Sequence, residues 1–248
     1  MLLAIDIGNT NISFALFKGS RINKSWDIPT KSYAKLRLAR YIVNKKISAA
    51  LICSVVPKIV NKLSRDIHQI SGVKPALIGR DIFVPIKNLY KNKKQLGQDR
   101  LVNAYAASKI YSVPVIVASF GTAITLDVVS KNRAYLGGFI QPGLRLALSA
   151  LNLKTAMLPK LKLLPVSGLI GADTRCAILN GVILGSAGSA DALIEKIRLK
   201  TGKQTKVIST GGDISLIKKF SRQINIVDKD LSLKGIFLLY KNKFRKRT

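Results

Sequence analysis

The sequence predicts an α/β fold built from two related halves, and three stretches carry that prediction. Leu2 to Lys18 and Val115 to Ser130 each set two short aliphatic and aromatic runs around a small polar turn, the pattern of a buried β-hairpin. A third glycine turn, Ser209-Thr210-Gly211-Gly212-Asp213, follows the short apolar run Lys206 to Ile208. Two such hairpins in the two halves of one chain, joined by a late Gly-Gly turn, suggest duplicated lobes, and packing alone does not explain them. The expected division is 1–112 for the first lobe and 113–248 for the second, with no low-complexity linker between them.

The first turn reads Asp6-Ile7-Gly8-Asn9-Thr10-Asn11 and leads into Ile12 and Ser13. A structural hairpin needs little more than Asn-Gly at its tip, and for this turn alone that plain reading stays open. Here, however, an acid ends the first run and small residues rich in backbone N–H donors follow it. Such a turn can form a nest for phosphate oxygens, with the carboxylate beside it for a metal ion. The second turn, Ser119-Phe120-Gly121-Thr122-Ala123, repeats the Gly-Thr element, with Asp127 in the run beyond it. Two phosphate-type turns and a Gly-Gly turn predict lobes that close on one nucleotide.

Composition bounds the class. The chain has 248 residues, of which 48% are hydrophobic, enough for one large or two small domains with a real core. No run of eighteen uncharged apolar residues occurs, and the N-terminus enters a strand without a basic leader, so neither a membrane span nor a signal peptide is expected and the predicted compartment is the cytoplasm. Cys53 and Cys176 sit in apolar contexts without metal-ligand spacing and are expected to be buried free thiols. The formal charge is +30, from 42 Lys and Arg against 12 acids, which attracts polyanions and anionic substrates. The basic residues are nonetheless dispersed; only Lys87 to Lys94 and the tail Lys241 to Arg247 are dense, and no zinc-finger or aromatic-basic pattern accompanies them.

Between the motifs, Ser20 to Ser32 reads as a polar connection and Tyr33 to Lys45 as a helix, with apolar residues at Leu36, Leu38, Ala39, Ile42 and Val43. Ala49 to Cys53 is a short buried strand, and Pro57 opens a helix over Lys58 to Ser71 that carries the lone histidine, His68. Pro75 to Ile78 reads as a strand, and Asp81 to Gln95 as a lysine-rich loop carrying Tyr90. Gly97-Gln98-Asp99-Arg100 introduces a helix over Leu101 to Ile110 that places Asp99 in its first turn, where the helix dipole favours an acid for structural reasons too. Beyond the second hairpin come a strand over Tyr135 to Ile140, a Gln141-Pro142-Gly143 turn, a helix over Leu144 to Leu151, and an irregular loop. Gly171-Ala172-Asp173-Thr174 then opens a long helix with small residues at Gly181, Gly185, Ala187, Gly188 and Ala190. A strand-turn-helix over Lys206 to Phe220, a strand near Ile224 to Val227 and a final helix complete the chain.

Taken in order, these motifs resemble the type III pantothenate kinases, of the acetate and sugar kinase, actin and heat-shock ATPase superfamily. The carriers are Asp6-x-Gly-Asn-Thr-Asn11, Ser54-Val-Val-Pro57, Gly97-x-Asp-Arg100, Phe120-Gly-Thr-Ala123 with Asp127, Gly137-Gly138 with Gln141-Pro-Gly143, Leu151 through Thr155-Ala156 to Pro159, Gly171-x-x-Thr174 and Thr210-Gly-Gly-Asp213. The resemblance implies two lobes with actin-like, ribonuclease H-like mixed sheets flanked by helices, and a nucleotide cleft between them. It also implies ATP-dependent phosphorylation of pantothenate, the first committed step toward coenzyme A. By the same resemblance Asp6 to Ser13 and Thr122 would bind ATP, with Asp6 holding Mg²⁺ directly or through water. Asp99 would be the base that takes the hydroxyl proton. Tyr90, Gly97, Gln98, Asp99, Arg100 and Thr174 would bind pantothenate, Arg100 through its planar fork of donors. The family is usually dimeric, which makes the small-residue helix after Thr174 the expected subunit contact.

One position departs from the pattern. The family's second turn begins with aspartate, which helps bind a monovalent cation such as potassium or ammonium; here that residue is Ser119. A hydroxyl coordinates potassium without supplying charge, so weakened potassium dependence is expected. Two other readings compete with the kinase: a catalytically weak relative that acts as a nucleic-acid-associated accessory factor, suggested by the charge, and a sugar or acetate kinase of the same superfamily.

Overall fold

The computed structural model of the chain describes residues 1–244; the Arg245 to Arg247 part of the basic tail lies outside the described residues. In chain order the elements are β1 (Leu2–Ile7), β2 (Asn11–Lys18), β3 (Arg21–Pro29), α1 (Lys35–Ile42), β4 (Ala49–Ser54), α2 (Pro57–Ser71), β5 (Ala76–Leu77), β6 (Lys87–Asn88) and α3 (Gln98–Ile110). They continue as β7 (Val115–Phe120), β8 (Ala123–Val129), β9 (Ala134–Pro142), α4 (Leu144–Lys154), α5 (Thr174–Thr201), β10 (Lys206–Thr210), α6 (Ile214–Ile217), β11 (Ile226–Val227) and α7 (Leu231–Phe244).

Contacts divide the chain into two compact units. The first takes Met1–Ile86, Lys91–Ala106 and, at the end of the described residues, 230–244; the second takes Lys87–Tyr90 and Ala107–Lys229. The sequence places its boundary between 112 and 113, whereas the contact units return α7 to the first unit.

The first unit holds a five-stranded sheet in the order β3-β2-β1-β4-β5. β1, β2 and β3 run antiparallel and β4 runs parallel beside β1. One face, with Leu3, Ile5, Phe14 and Ile52, packs on α1 and α2 through Leu38, Ile42, Leu63 and Ile67. The other, with Ala4, Ala15, Phe17 and Cys53, packs on α3 and α7 through Val102, Tyr105, Ile236 and Phe237. Burial on both faces explains why β1 and β4 read as continuous apolar runs instead of alternating ones. α2 opens on Pro57 and stops at Gly72, whose φ of 71° suits a residue without a Cβ.

The second unit repeats the plan. Its sheet runs β11-β10-β7-β8-β9-β6, in which β7, β8 and β9 are antiparallel and β10 lies parallel beside β7. Omitting β6, the order and directions are those of the first sheet, so the duplication expected from the two hairpins is present in the topology. The core joins Ile116, Ala118, Phe120, Leu126 and Val207 to Leu148 on α4 and to Leu179, Ile183, Ala187 and Ile194 on α5. α5 is long and apolar enough to cross a membrane by length and composition, yet much of that apolar surface is the inner wall of this core.

Three local expectations are corrected. Arg21–Pro29 is a strand, not a connection: it sits at the sheet edge with Ile28 as its one buried residue, so its sequence carries almost no apolar signal. Trp26 earns its place there by stacking between Phe14 and Tyr41, with ring centroids 5.2 and 4.5 Å away. Cys176 is exposed, because it lies in the first turn of α5 ahead of the buried stretch; only Cys53 is the expected buried thiol. The helix expected after Gly212 is reduced to the four residues of α6.

Candidate active site

In the first unit the geometry is set by where β1 ends. Asp6 pairs with Ser13 across the hairpin and with Cys53 across the parallel neighbour β4. Ile7 and Ile12 face each other with both side chains fully buried, so any contact they make with a ligand is through the backbone. Beyond them the turn is exposed at Asn9, Thr10 and Asn11, and Gly8 N–H donates to the Asn11 carbonyl at 2.9 Å.

The carboxyl of Asp6 is raised to about 7, first by burial and then by the charge of Asp99; a hydrogen bond from Ser232 pulls it down and Asp27 adds a smaller upward push. Burial and the charges of Asp6 and Asp99 likewise push the Cys53 thiol up. Two carboxylates thus share one partly enclosed place beside the phosphate-type turn, an arrangement that favours a cation or a shared proton.

Asp99 reaches that place because of Gly97. A Cβ at residue 97 would collide with the Asp99 carboxylate, which folds back over the glycine at the start of α3. Gln98 packs its side chain on Gly79, whose φ is 91°, and Arg100 is buried. The Gly-x-Asp-Arg element is therefore a device that lays one acid against the helix start while its arginine is held inside.

In the second unit three motif turns converge. Gly143 N–H donates to the Thr122 carbonyl at 3.0 Å, and a Cβ on Gly143 would strike the carbonyls of Gly121 and Thr122. Gly211, at φ 101°, crosses the backbone of Phe120 so closely that no side chain fits, and Asp213 N–H donates to the Phe120 carbonyl at 3.1 Å. The Gly-Thr turn is thus clasped by the Gln141-Pro-Gly143 turn and by the Thr210-Gly-Gly-Asp213 turn, and Arg145 approaches Asp213 at 3.3 Å. Ser119 pairs with Thr125, while the buried Asp127 accepts hydrogen bonds from Tyr135 Oη at 2.6 Å and Thr125 Oγ1 at 3.1 Å.

Tyr90 also belongs to this unit, its ring lying against Gly137 of β9 and tilted toward Tyr135 at 6.2 Å. Thr174 is the exposed first residue of α5, next to Asp173, whose Oδ1 accepts from Cys176 N–H at 2.8 Å as the helix cap. Asp6, the first turn and Gly97 to Arg100 therefore belong to the first unit, and Tyr90, Ser119, Thr122 and Thr174 to the second. Sequence reasoning missed Ser232 and Cys53 beside Asp6, and Arg145 beside Asp213. Each comes from a distant part of the chain, and none stands in a motif.

Two α/β units with the same strand order, each with a small polar turn at the tip of its first hairpin, give the chain a duplicated fold of the actin-like kind. The fold is similar to that of the activator of the 2-hydroxyisocaproyl-CoA dehydratase from Clostridium difficile, with a TM-score of 0.57 and 13% identity over 99% of this chain and 97% of that one. Residues 2–196 match the type III pantothenate kinase family, to which the chain belongs. It is 38% identical to the type III pantothenate kinase of Finegoldia magna over 96% of both chains, and 35% identical to that of Agathobacter rectalis over 99% of both.

Proposed function

We propose that the chain transfers the γ-phosphoryl group of ATP to the primary hydroxyl of pantothenate, the first step toward coenzyme A. The observation that carries this reading is the Asp6 and Asp99 pair in a member of this family: two acids close enough to raise one of them, beside a turn rich in N–H donors. Phosphoryl transfer asks for positioning and charge neutralisation more than for a covalent nucleophile, and these residues supply both.

Mg²⁺ fits this site. The Asp6 carboxyl carries the electrostatic strain that a divalent ion relieves, and Mg²⁺ takes one or two carboxylates plus phosphate oxygens without needing an all-protein cage. That agrees with the absence, among the described residues, of any group of three or more His, Cys, Asp or Glu side chains placed to hold a metal. Asp6 would hold the ion directly or through water, where it would neutralise charge on the β- and γ-oxygens.

In this reading the backbone N–H groups of the Gly8 to Asn11 turn receive phosphate oxygens, Thr122 contacts ATP, and Gly211 and Gly212 let the backbone lie close to the adenosine. Asp99 accepts the proton of the attacking hydroxyl. Tyr90, Gly97, Gln98, Arg100 and Thr174 bind pantothenate, with Arg100 on the carboxylate or the transferring phosphate. Ser119 provides a neutral ligand at the monovalent-cation position, so potassium or ammonium activates weakly or not at all.

A homodimer is part of the proposal, supported by the groove of about 670 Å³ between α4 and α5, lined by Ala147, Leu151, Ile178, Gly181 and Gly185. So is a cytoplasmic location, and the charge of +30 supports non-specific polyanion binding.

The test is ADP release by the parent protein and by Asp99→Asn, with and without pantothenate. Release should require pantothenate and should fall about 10²-fold or more in the variant, which keeps the shape and removes the base. Pantothenate-independent release would overturn the substrate, and unchanged turnover in Asp99→Asn would remove that residue from the mechanism.

A further inference from the structure

The first turn is held by a residue outside every motif named above. Thr30 follows the end of β3 and makes two hydrogen bonds into the turn: its Oγ1 donates to the Gly8 carbonyl at 2.7 Å, and its N–H donates to the Thr10 carbonyl at 2.9 Å. The register explains why it is placed to do so. The pairing of β2 with β3 ends at Asn11 opposite Pro29, and because bonded pairs alternate along an antiparallel ladder, the next donor to face the β2 side is the N–H of Thr30, just beyond β3.

Those two bonds fix more than two carbonyls. In a trans peptide the C=O and the following N–H lie in one plane and point in opposite directions. Drawing the Gly8 carbonyl toward Thr30 turns the Asn9 N–H away from it; drawing the Thr10 carbonyl does the same to the Asn11 N–H. An ordinary two-residue hairpin would spend the N–H of residue 11 on the carbonyl of residue 8. Here that carbonyl accepts the Thr30 hydroxyl, the Gly8 N–H donates to the Asn11 carbonyl, and Asn9 and Thr10 form a bend.

We propose that Thr30 is a positioning residue for triphosphate binding: its hydroxyl and N–H hold the Gly8 to Asn11 turn so that the Asn9 and Asn11 N–H groups face the phosphate oxygens. The inference rests on the phosphate-binding reading of that turn. It adds a residue just beyond the third strand, to which neither the motifs nor the resemblance assigns a role. A residue that served only to end β3 would contribute stability and leave nucleotide affinity alone.

Thr30→Val removes the hydroxyl while keeping the branched shape and the backbone N–H; Thr30→Ser keeps the hydroxyl. Calorimetric titration with ATP should show the valine variant weakened about tenfold, the scale of one hydrogen bond whose loss frees a peptide plane, and the serine variant within about threefold of the parent. The KM for pantothenate should stay within about twofold in both, because the hydroxyl that is changed bonds to the Gly8 carbonyl of the phosphate turn. Thr30→Ala carries the same expectation if the valine variant does not fold.

Unchanged ATP affinity in the valine variant, a serine variant as weak as the valine one, or a parallel loss toward ATP and pantothenate would each overturn the role of Thr30. A parent protein that binds no ATP would overturn the phosphate-turn reading and Thr30 with it. A parent that binds ATP but does not phosphorylate pantothenate would overturn only the substrate, and the ATP titrations would still decide Thr30.

Discussion

Replacing Asp6 by asparagine should make the ligand-free protein more stable at neutral and alkaline pH while abolishing turnover. Its carboxyl lies at about 7 in the folded chain against 3.8 ordinarily, so the folded state holds a proton that the unfolded state has released throughout that window. Stability therefore falls as pH rises from about 4 to about 7 and stays low above it. A separation of about 3 pH units, at about 1.4 kcal/mol each, sets a ceiling of roughly 4 kcal/mol. Asp6 keeps partial contact with solvent, and halving for that screening gives about 2 kcal/mol as the working figure. Asparagine removes the charge and can still accept the hydrogen bond of Ser232. Urea unfolding of the parent and Asp6→Asn at about pH 5 and about pH 8 isolates the effect, since the constant difference between an amide and a neutral acid cancels in the comparison. The stability gap should widen by about 1–3 kcal/mol toward the higher pH. A gap that does not change with pH would refute the claim that burial and Asp99 hold this carboxyl up.

Gly143→Ala should cost about 2–4 kcal/mol, because its Cβ meets the carbonyls of Gly121 and Thr122, and a thermal melt should show it together with weakened ATP binding. Ser119→Asp should restore charge at the monovalent-cation position, so a potassium titration of its turnover should show stronger activation than the parent's; equal activation would refute the assignment of that position. Asp173→Ala removes the cap on the Cys176 N–H of α5 and should cost about 1 kcal/mol in urea unfolding.

The hairpins, the helix opened by Pro57 and the Gly-Gly turn were legible because each depends on local chemistry: apolar runs, a missing N–H, a φ that only glycine adopts cheaply. β3 was not legible, because an edge strand that buries little except Ile28 shows no period for a reader to find. Thr30 escaped for the same reason, since its meaning lies in two bonds to residues about twenty positions earlier. Cys176 looked buried from its neighbours in sequence, but the first turn of a helix leaves the core before its apolar stripe begins.

By itself, then, the order of residues determined the doubled α/β plan, the turns that can receive phosphate and the acids near them, since turn chemistry and apolar period act over a few residues. The environment of those acids was decided only by the folded chain. Asp6 becomes a raised carboxyl because the fold buries it at the end of β1 beside β4 and brings the charge of Asp99 from the start of α3 close to it, which outweighs the hydrogen bond of Ser232 from the start of α7. Burial and charge act through space, and no spacing along the chain encodes them.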